Sequence, residues 1–240
     1  MELTWHGHST WEVVVEDTRL LIDPFFDNPY ATVDPADVAT PDYLLLTHGH
    51  ADHIADVGVF AQDTIVCASP EIAAWVGEEH GADETIGFNL GGTIECGDSF
   101  VTMVQAMHTN GINMDPRIDA GIPSGLVISD TKPTQVADQE STTFYHAGDT
   151  ALMTEMRDVI APFLEPDAAA IPIGDHFTMG PQQAAIAVDW LGVDVAYPMH
   201  YDTFPPIEQD PADFEREVEA TGSGAEVYVP EAGEPFLLAG

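Results

Sequence analysis

His48-Gly49-His50-Ala51-Asp52-His53 sets three imidazoles and one carboxylate within six consecutive residues. Neutral imidazole nitrogen and carboxylate oxygen are the donors that suit zinc and related divalent ions, and Gly49 and Ala51 leave room for a compact loop around an ion. One short loop cannot easily aim four side chains at a single metal. Two metals sharing the loop, each completed by distant ligands, resolve the difficulty, and His108, Asp149 and His200 supply the missing donors. The ordinary alternative is a helix N-cap at Asp52 with solvent-exposed histidines beside it. That would explain one histidine, but not this run followed by further His and Asp at the ends of later apolar segments.

The elements that must carry these groups can be read from hydrophobic pattern and breakers. Apolar, strand-like runs lead to His48, to His108, to Asp149 through His146-Ala147-Gly148, and to His200. In sheet proteins with helices outside, loops at one end of the strands commonly carry the site, so these ends are expected to converge. Leu3 and Trp5 alternate with polar neighbours, Trp11–Val15 reads as a strand, and residues 16–18 turn into a strand over 20–22. Residues 43–46 form a continuous apolar run of the buried-strand kind. A second strand-rich section spans 93 to about 106, with further strands near 126–129, Thr143–His146, 168–171 and 195–197. Helices are predicted over 54–60, Pro70–His80, 152–163, Pro181–Leu191 and 211–220. Strands in succession, mixed with helices in both halves, give an α/β class with two sheets and helices outside. No repeat or long linker interrupts the chain, so one domain over 1–240 is expected.

The 240 residues carry 42 Asp+Glu against 5 Lys+Arg, a formal charge of -37, with 45 % hydrophobic residues. That apolar content argues for a folded core despite the charge. The acids are scattered rather than gathered in a tail, which fits a surface adapted to near-molar salt, where self-repulsion is screened within about 3 Å. The expectation is a halophilic, cytoplasmic protein. Five basic side chains disfavour extended nucleic-acid binding. No apolar run is long enough to span a bilayer, so no membrane partner is expected. Cys67 and Cys96 are isolated and read as buried free thiols.

With these residues in view, a resemblance can be named. The His48, His50, Asp52, His53 motif, followed by His108, Asp149 and His200, resembles the metallo-β-lactamase superfamily. Gly7-His8-Ser9, Leu21-Ile22-Asp23-Pro24, His146-Ala147-Gly148-Asp149-Thr150, Phe177-Thr178-Met179-Gly180 and the segment Pro198 to Pro205 resemble its metal-dependent hydrolases related to ascorbate-6-phosphate lactonase. The resemblance implies an αββα sandwich, two mixed β-sheets face to face with a dinuclear site at one edge. By position, His48, His50 and His108 would bind the first metal, Asp52, His53 and His200 the second, and Asp149 would bridge them. Two divalent ions are implied, zinc foremost, with manganese, nickel or iron as alternatives. The superfamily's iron-dependent redox branch typically has an acidic residue where this chain has His50, which favours hydrolysis.

The implied reaction is attack by a hydroxide of the dinuclear site on a small ester, lactone or phosphodiester, with Asp52 as proton acceptor and later donor. The alternatives are a nuclease of the same superfamily and a non-catalytic metal-binding or regulatory protein. Around the metals, Asp23 is expected to accept a hydrogen bond from a ligating imidazole, His8 to stand beside the pocket, and His176 to lie at its rim. The segment 109–132 is expected to form a pocket wall, with Arg117 as a candidate for binding an anionic group. A homo-oligomer is the remaining partner expectation, with Phe204-Pro205-Pro206 as a candidate part of an interface.

Overall fold

The computed structural model describes residues 1–113, 116–134 and 141–238. Strand β1 (Glu2–Trp5) leads into the hairpin of β2 (Trp11–Val15) and β3 (Thr18–Ile22), and β4 (Tyr43–Leu45), β5 (Ile65–Ala68) and β6 (Glu84–Gly87) continue the sheet in parallel. The second sheet contains β7 (Thr93–Cys96), β8 (Ser99–Gln105), β9 (Ser124–Ser129), β10 (Thr143–His146), β11 (Ala168–Pro172), β12 (Val195–Met199) and β13 (Glu226–Val227). A last short strand, β14 (Phe236–Leu237), pairs with β1, so each sheet has seven strands, ordered β14-β1-β2-β3-β4-β5-β6 and β13-β12-β11-β10-β9-β8-β7. Both mix parallel and antiparallel pairs. Trp11 meets Phe144 and Tyr197 of the facing sheet with ring centroids 5.6 and 5.5 Å apart, which fixes the two sheets face to face.

Helices α1 (Ala51–Ile54), α2 (Val57–Phe60) and α3 (Pro70–His80) cover the outer face of the first sheet, where Ile54, Val57, Phe60, Ile72 and Val76 pack with Leu21, Leu44 and Val66. The predicted single helix over 54–60 is two short ones. Asp56 leaves helical geometry because its N–H donates to the Pro24 carbonyl while its carboxylate accepts the Phe26 N–H at 2.7 Å. α3 keeps its predicted ends: Ser69 caps it, Pro70 starts it and Gly81 closes it in the left-handed region at φ 69°. The helix predicted from 152 begins later, as a π turn over Met156–Ile160 followed by α4 (Ala161–Leu164). Pro162 has no N–H for the α ladder, and Ala161 reaches back five residues to the Met156 carbonyl. α5 (Pro181–Leu191) and α6 (Pro211–Thr221) complete the outer layer, giving an αββα sandwich.

Strand direction explains where the site must lie. β1 and β3 each run antiparallel to β2, and β4 runs parallel to β3, so all three point the same way. In the other sheet β8 and β10 flank β9 antiparallel, and β11 and β12 follow β10 in parallel. The residues that leave these strands therefore collect at one edge of the sandwich.

His6, one residue past β1, is buried beside Phe26, and neither of its ring nitrogens has a hydrogen-bond partner. Burial, reinforced by Arg19, lowers its pKa to about 4. The folded state thus excludes a proton that the unfolded chain takes up below about pH 6.5. Stability should fall by about 1.4 kcal/mol per pH unit from roughly 6.5 down to 4 on account of this ring alone. His6→Phe removes the titrating group and strands no partner. Urea unfolding at fixed molar KCl should show the variant gaining on the parent as pH drops from 7 to 5; a constant difference would refute the assignment.

Candidate metal centre

The first sheet delivers four donors through one short stretch. β4 ends at Leu45, Thr47 and His48 follow as buried residues, His50 immediately precedes α1, and Asp52 and His53 stand on that helix. Gly49 is required here because a Cβ would lie 2.6 Å from Ile112 and 3.0 Å from Ala120. Its N–H donates to Asn110 Oδ1 at 2.8 Å, tying the motif to the segment after His108. The second sheet delivers three more. His108 lies beyond β8, Asp149 follows Gly148 in the left-handed region at φ 60°, and His200 follows β12 at φ 52°. His200 is held there by its N–H donating to the His8 carbonyl at 3.1 Å.

All seven residues expected to hold metal meet at the sandwich edge. Donor atoms of His48, His50, His108 and Asp149 lie within 4.8 Å of one another, and those of Asp52, His53, His200 and His8 form a second such nest. Asp149 stands between the nests. Its Oδ2 is 3.1 Å from His200 Nε2, 3.5 Å from His108 Nε2 and 3.9 Å from His48 Nε2, while Oδ1 is 3.4 Å from His53 Nε2.

Asp23, fully buried, organises two of the rings. Its Oδ1 accepts the Thr47 N–H at 2.8 Å, and its Oδ2 accepts the Thr47 hydroxyl at 2.6 Å and His53 Nδ1–H at 2.7 Å. The Thr47 hydroxyl has spent its proton on the carboxylate, so at 3.0 Å it can only accept from His48 Nδ1–H. Both rings are thereby fixed with Nδ1 protonated and Nε2 aimed inward. His8 is buried with both nitrogens engaged, Nδ1 with Thr203 Oγ1 at 2.8 Å and Nε2 with Asp52 Oδ2 at 3.2 Å. It therefore steers Asp52 rather than offering a free donor to an ion.

The electrostatics fit a cation. Burial pushes His48 well below the ordinary imidazole pKa, with His53 adding to the effect, and burial likewise lowers His50 and His108, so these rings present lone pairs. Burial would raise Asp149, yet His200 and His53 hold it well below the carboxylate range. Burial would lower His53, but Asp149 and Asp23 on either side hold it well above. The buried His53 Nε2, Asp149 Oδ1 and His200 Nε2 have no hydrogen-bond partner. Orphaned donor atoms around buried carboxylates are what divalent ions would satisfy.

A cavity of about 600 Å³ opens beside the cluster, bordered by His50, Asp52, His108, Asp149 and His200. Its far walls come from Ile54, Ala55, Trp75, His80, Thr109, Gly111, Ile112, Asn113 and Phe177. The segment 109–132 thus contributes a wall through 109 and 111–113; residues 114 and 115 of it lie outside the described residues. Arg117 does not border this cavity. Its guanidinium donates to the Asn110 carbonyl and occupies the space a Cβ at Gly111 would need, so it braces the loop after His108. His176 is exposed, packs edge-on against the cavity-lining Phe177 at 4.4 Å and does not itself border the cavity. Thr47, Thr203 and Trp75 escaped the sequence reading, although Thr47 directly precedes the motif.

Comparison with known proteins agrees with this geometry. The model of the beta-lactamase superfamily domain matches residues 18–201. A UPF0173 metal-dependent hydrolase of Halobacterium salinarum is 64% identical over 238 residues, covering 99% of this chain and 98% of its own. One from Haloarcula marismortui is 62% identical over 241 residues, covering 99% and 100%. Among solved structures, Igni18, a metallo hydrolase from the hyperthermophilic archaeon Ignicoccus hospitalis, superposes with a TM-score of 0.82 at 32% identity, covering 99% of each chain. The matching family model, the full-length similarity and the shared sandwich place this chain in the metallo-β-lactamase superfamily, as a metal-dependent hydrolase of its UPF0173 group.

Proposed function

We propose that the protein holds two divalent cations, zinc foremost, and hydrolyses a small ester, lactone or phosphodiester. The observation that carries this reading is the pair of donor nests with Asp149, a member of one, also 3.1 Å from His200 and 3.4 Å from His53 of the other. His48, His50 and His108 would hold one ion, Asp52, His53 and His200 the other, with Asp149 between them. Bound there, such a pair supplies a water acidified enough to attack at neutral pH and a Lewis acid for the substrate oxygen.

The protein's own contribution to proton transfer falls to Asp52. Burial would raise its carboxyl, but the hydrogen bond from His8 and the proximity of His53 hold it well below the usual range, so it stands ionised. Its side chain is 27% exposed and borders the cavity, within reach of both an attacking water and a leaving group. Burial lowers His8 to about 4, so at neutral pH its uncharged ring donates Nε2–H to Asp52 and fixes the carboxylate's aim.

Metal analysis and a hydrolase panel in molar KCl test the proposal together. Two equivalents of metal and turnover of at least one ester, lactone or phosphodiester are expected. A full complement with no turnover would favour a metal-binding or regulatory role. Asp52→Asn should lower kcat by about 10²–10⁴-fold, the span of general acid–base contributions, with product release unchanged.

A further inference from the structure

Building on the hydrolytic reading, we infer that the cavity beside the metal centre takes the apolar tail of a neutral carboxylic ester or lactone, in preference to an anionic phosphodiester. Beyond the cluster the wall is mostly hydrocarbon and aromatic: Ile54 and Ala55 from the helical turn after the motif, Trp75 from α3, Ile112 from the segment after His108, and Phe177 opposite. Polar groups there are few: Thr109, Asn113 and the His80 imidazole, whose ring lies edge-on to Trp75 at 4.9 Å. A volume of about 600 Å³ lies in the range of sites that enclose small ligands.

Charge supports the same choice. Of the five basic residues, none borders the cavity. Arg117, which the sequence offered as an anion ligand, is committed to the Asn110 carbonyl. A phosphodiester brings a permanent negative charge into a protein of formal charge -37, and no guanidinium or ammonium in the wall would receive the phosphoryl oxygens that the centre leaves unbound. A neutral acyl group carries no such cost, and each methylene removed from water against Trp75, Ile112 and Phe177 adds to binding. Asp52 and Asp149, which border the cavity, would face the carbonyl end, leaving the tail to the apolar wall that includes Trp75 and Phe177.

The test is a series of ethyl esters from acetate to octanoate, with alkyl-substituted lactones and bis(p-nitrophenyl) phosphate alongside, in molar KCl. kcat/KM should rise by about fourfold per methylene until the cavity is filled, and should exceed that for the phosphodiester. Phe177→Ala, at a 54% exposed position where folding is not at risk, should flatten the rise, and so should Trp75→Ala. Independently of turnover, octanamide should cause a saturable change in tryptophan fluorescence that Trp75→Phe abolishes, in metal-loaded and in chelated protein alike. Hydrolysis with no dependence on chain length, or with the phosphodiester preferred, would overturn the cavity assignment and leave the hydrolytic reading standing. No turnover in any class with octanamide still bound would overturn the hydrolytic reading and support the apolar ligand class.

Discussion

Asp149→Ala is expected to bind at least one metal ion fewer than the parent and to lose hydrolysis by more than the roughly 10–100-fold that losing an outer partner of a metal ligand typically costs. Asp149 reaches both nests: Oδ2 faces His200, His108 and His48, and Oδ1 faces His53. Alanine removes both oxygens and leaves the imidazoles of the two groups with nothing between them. Asp149→Asn keeps one carbonyl oxygen and should retain more metal than the alanine variant. Elemental analysis after dialysis against metal-free molar KCl reads the result directly. If Asp149→Ala kept the full complement, the residue would not be the bridge.

The second large effect is expected at Asp23, which touches no substrate. Asp23→Ala leaves the Thr47 N–H, the Thr47 hydroxyl and His53 Nδ1–H without their acceptor, all in a region closed to water. Breaking a buried, charge-assisted network of this kind costs about 3–5 kcal/mol, which urea unfolding of the metal-free protein would show. Asp23→Asn separates packing from proton placement. Its amide oxygen can still accept the Thr47 N–H, but its –NH2 meets His53 Nδ1 as a donor. The His53 proton is then driven to Nε2, the atom that faces Asp149. Metal affinity should fall roughly 10–100-fold while much of the stability is retained. Unchanged affinity in the asparagine variant would remove Asp23 from the account of the centre.

The candidate donors were legible in the sequence because four are packed into one short loop and the others close apolar runs, a pattern that needs only local reading. The first hairpin, β10 and α3 were legible for the same reason: alternation, turn residues and caps lie within a few positions of one another. Elements that depend on distant partners were not. β13 and β14 are two residues each, too short to show a period, and become strands only because β12 and β1 present open edges to them. β6 is mostly exposed at the sheet's rim and carries little apolar signal. Thr47 was not singled out, since its role depends on Asp23, brought alongside by the parallel pairing of β3 with β4. Trp75 was not singled out, because the side of α3 that opens on the cavity is set by how the helix sits on the sheet. Arg117 shows the converse: its chemistry suited an anion, and in the fold its guanidinium donates to the Asn110 carbonyl.

The division of the seven donors between the two sheets bears on how the molecule is made. A ribosome releases the loop from His48 to His53 long before it reaches His200. Until the C-terminal strands dock, the nascent chain offers only fragments of the candidate site, each a poor competitor for divalent cations. Capture of the full complement then becomes a late event in biogenesis, and loading serves as a readout that both halves have assembled in register.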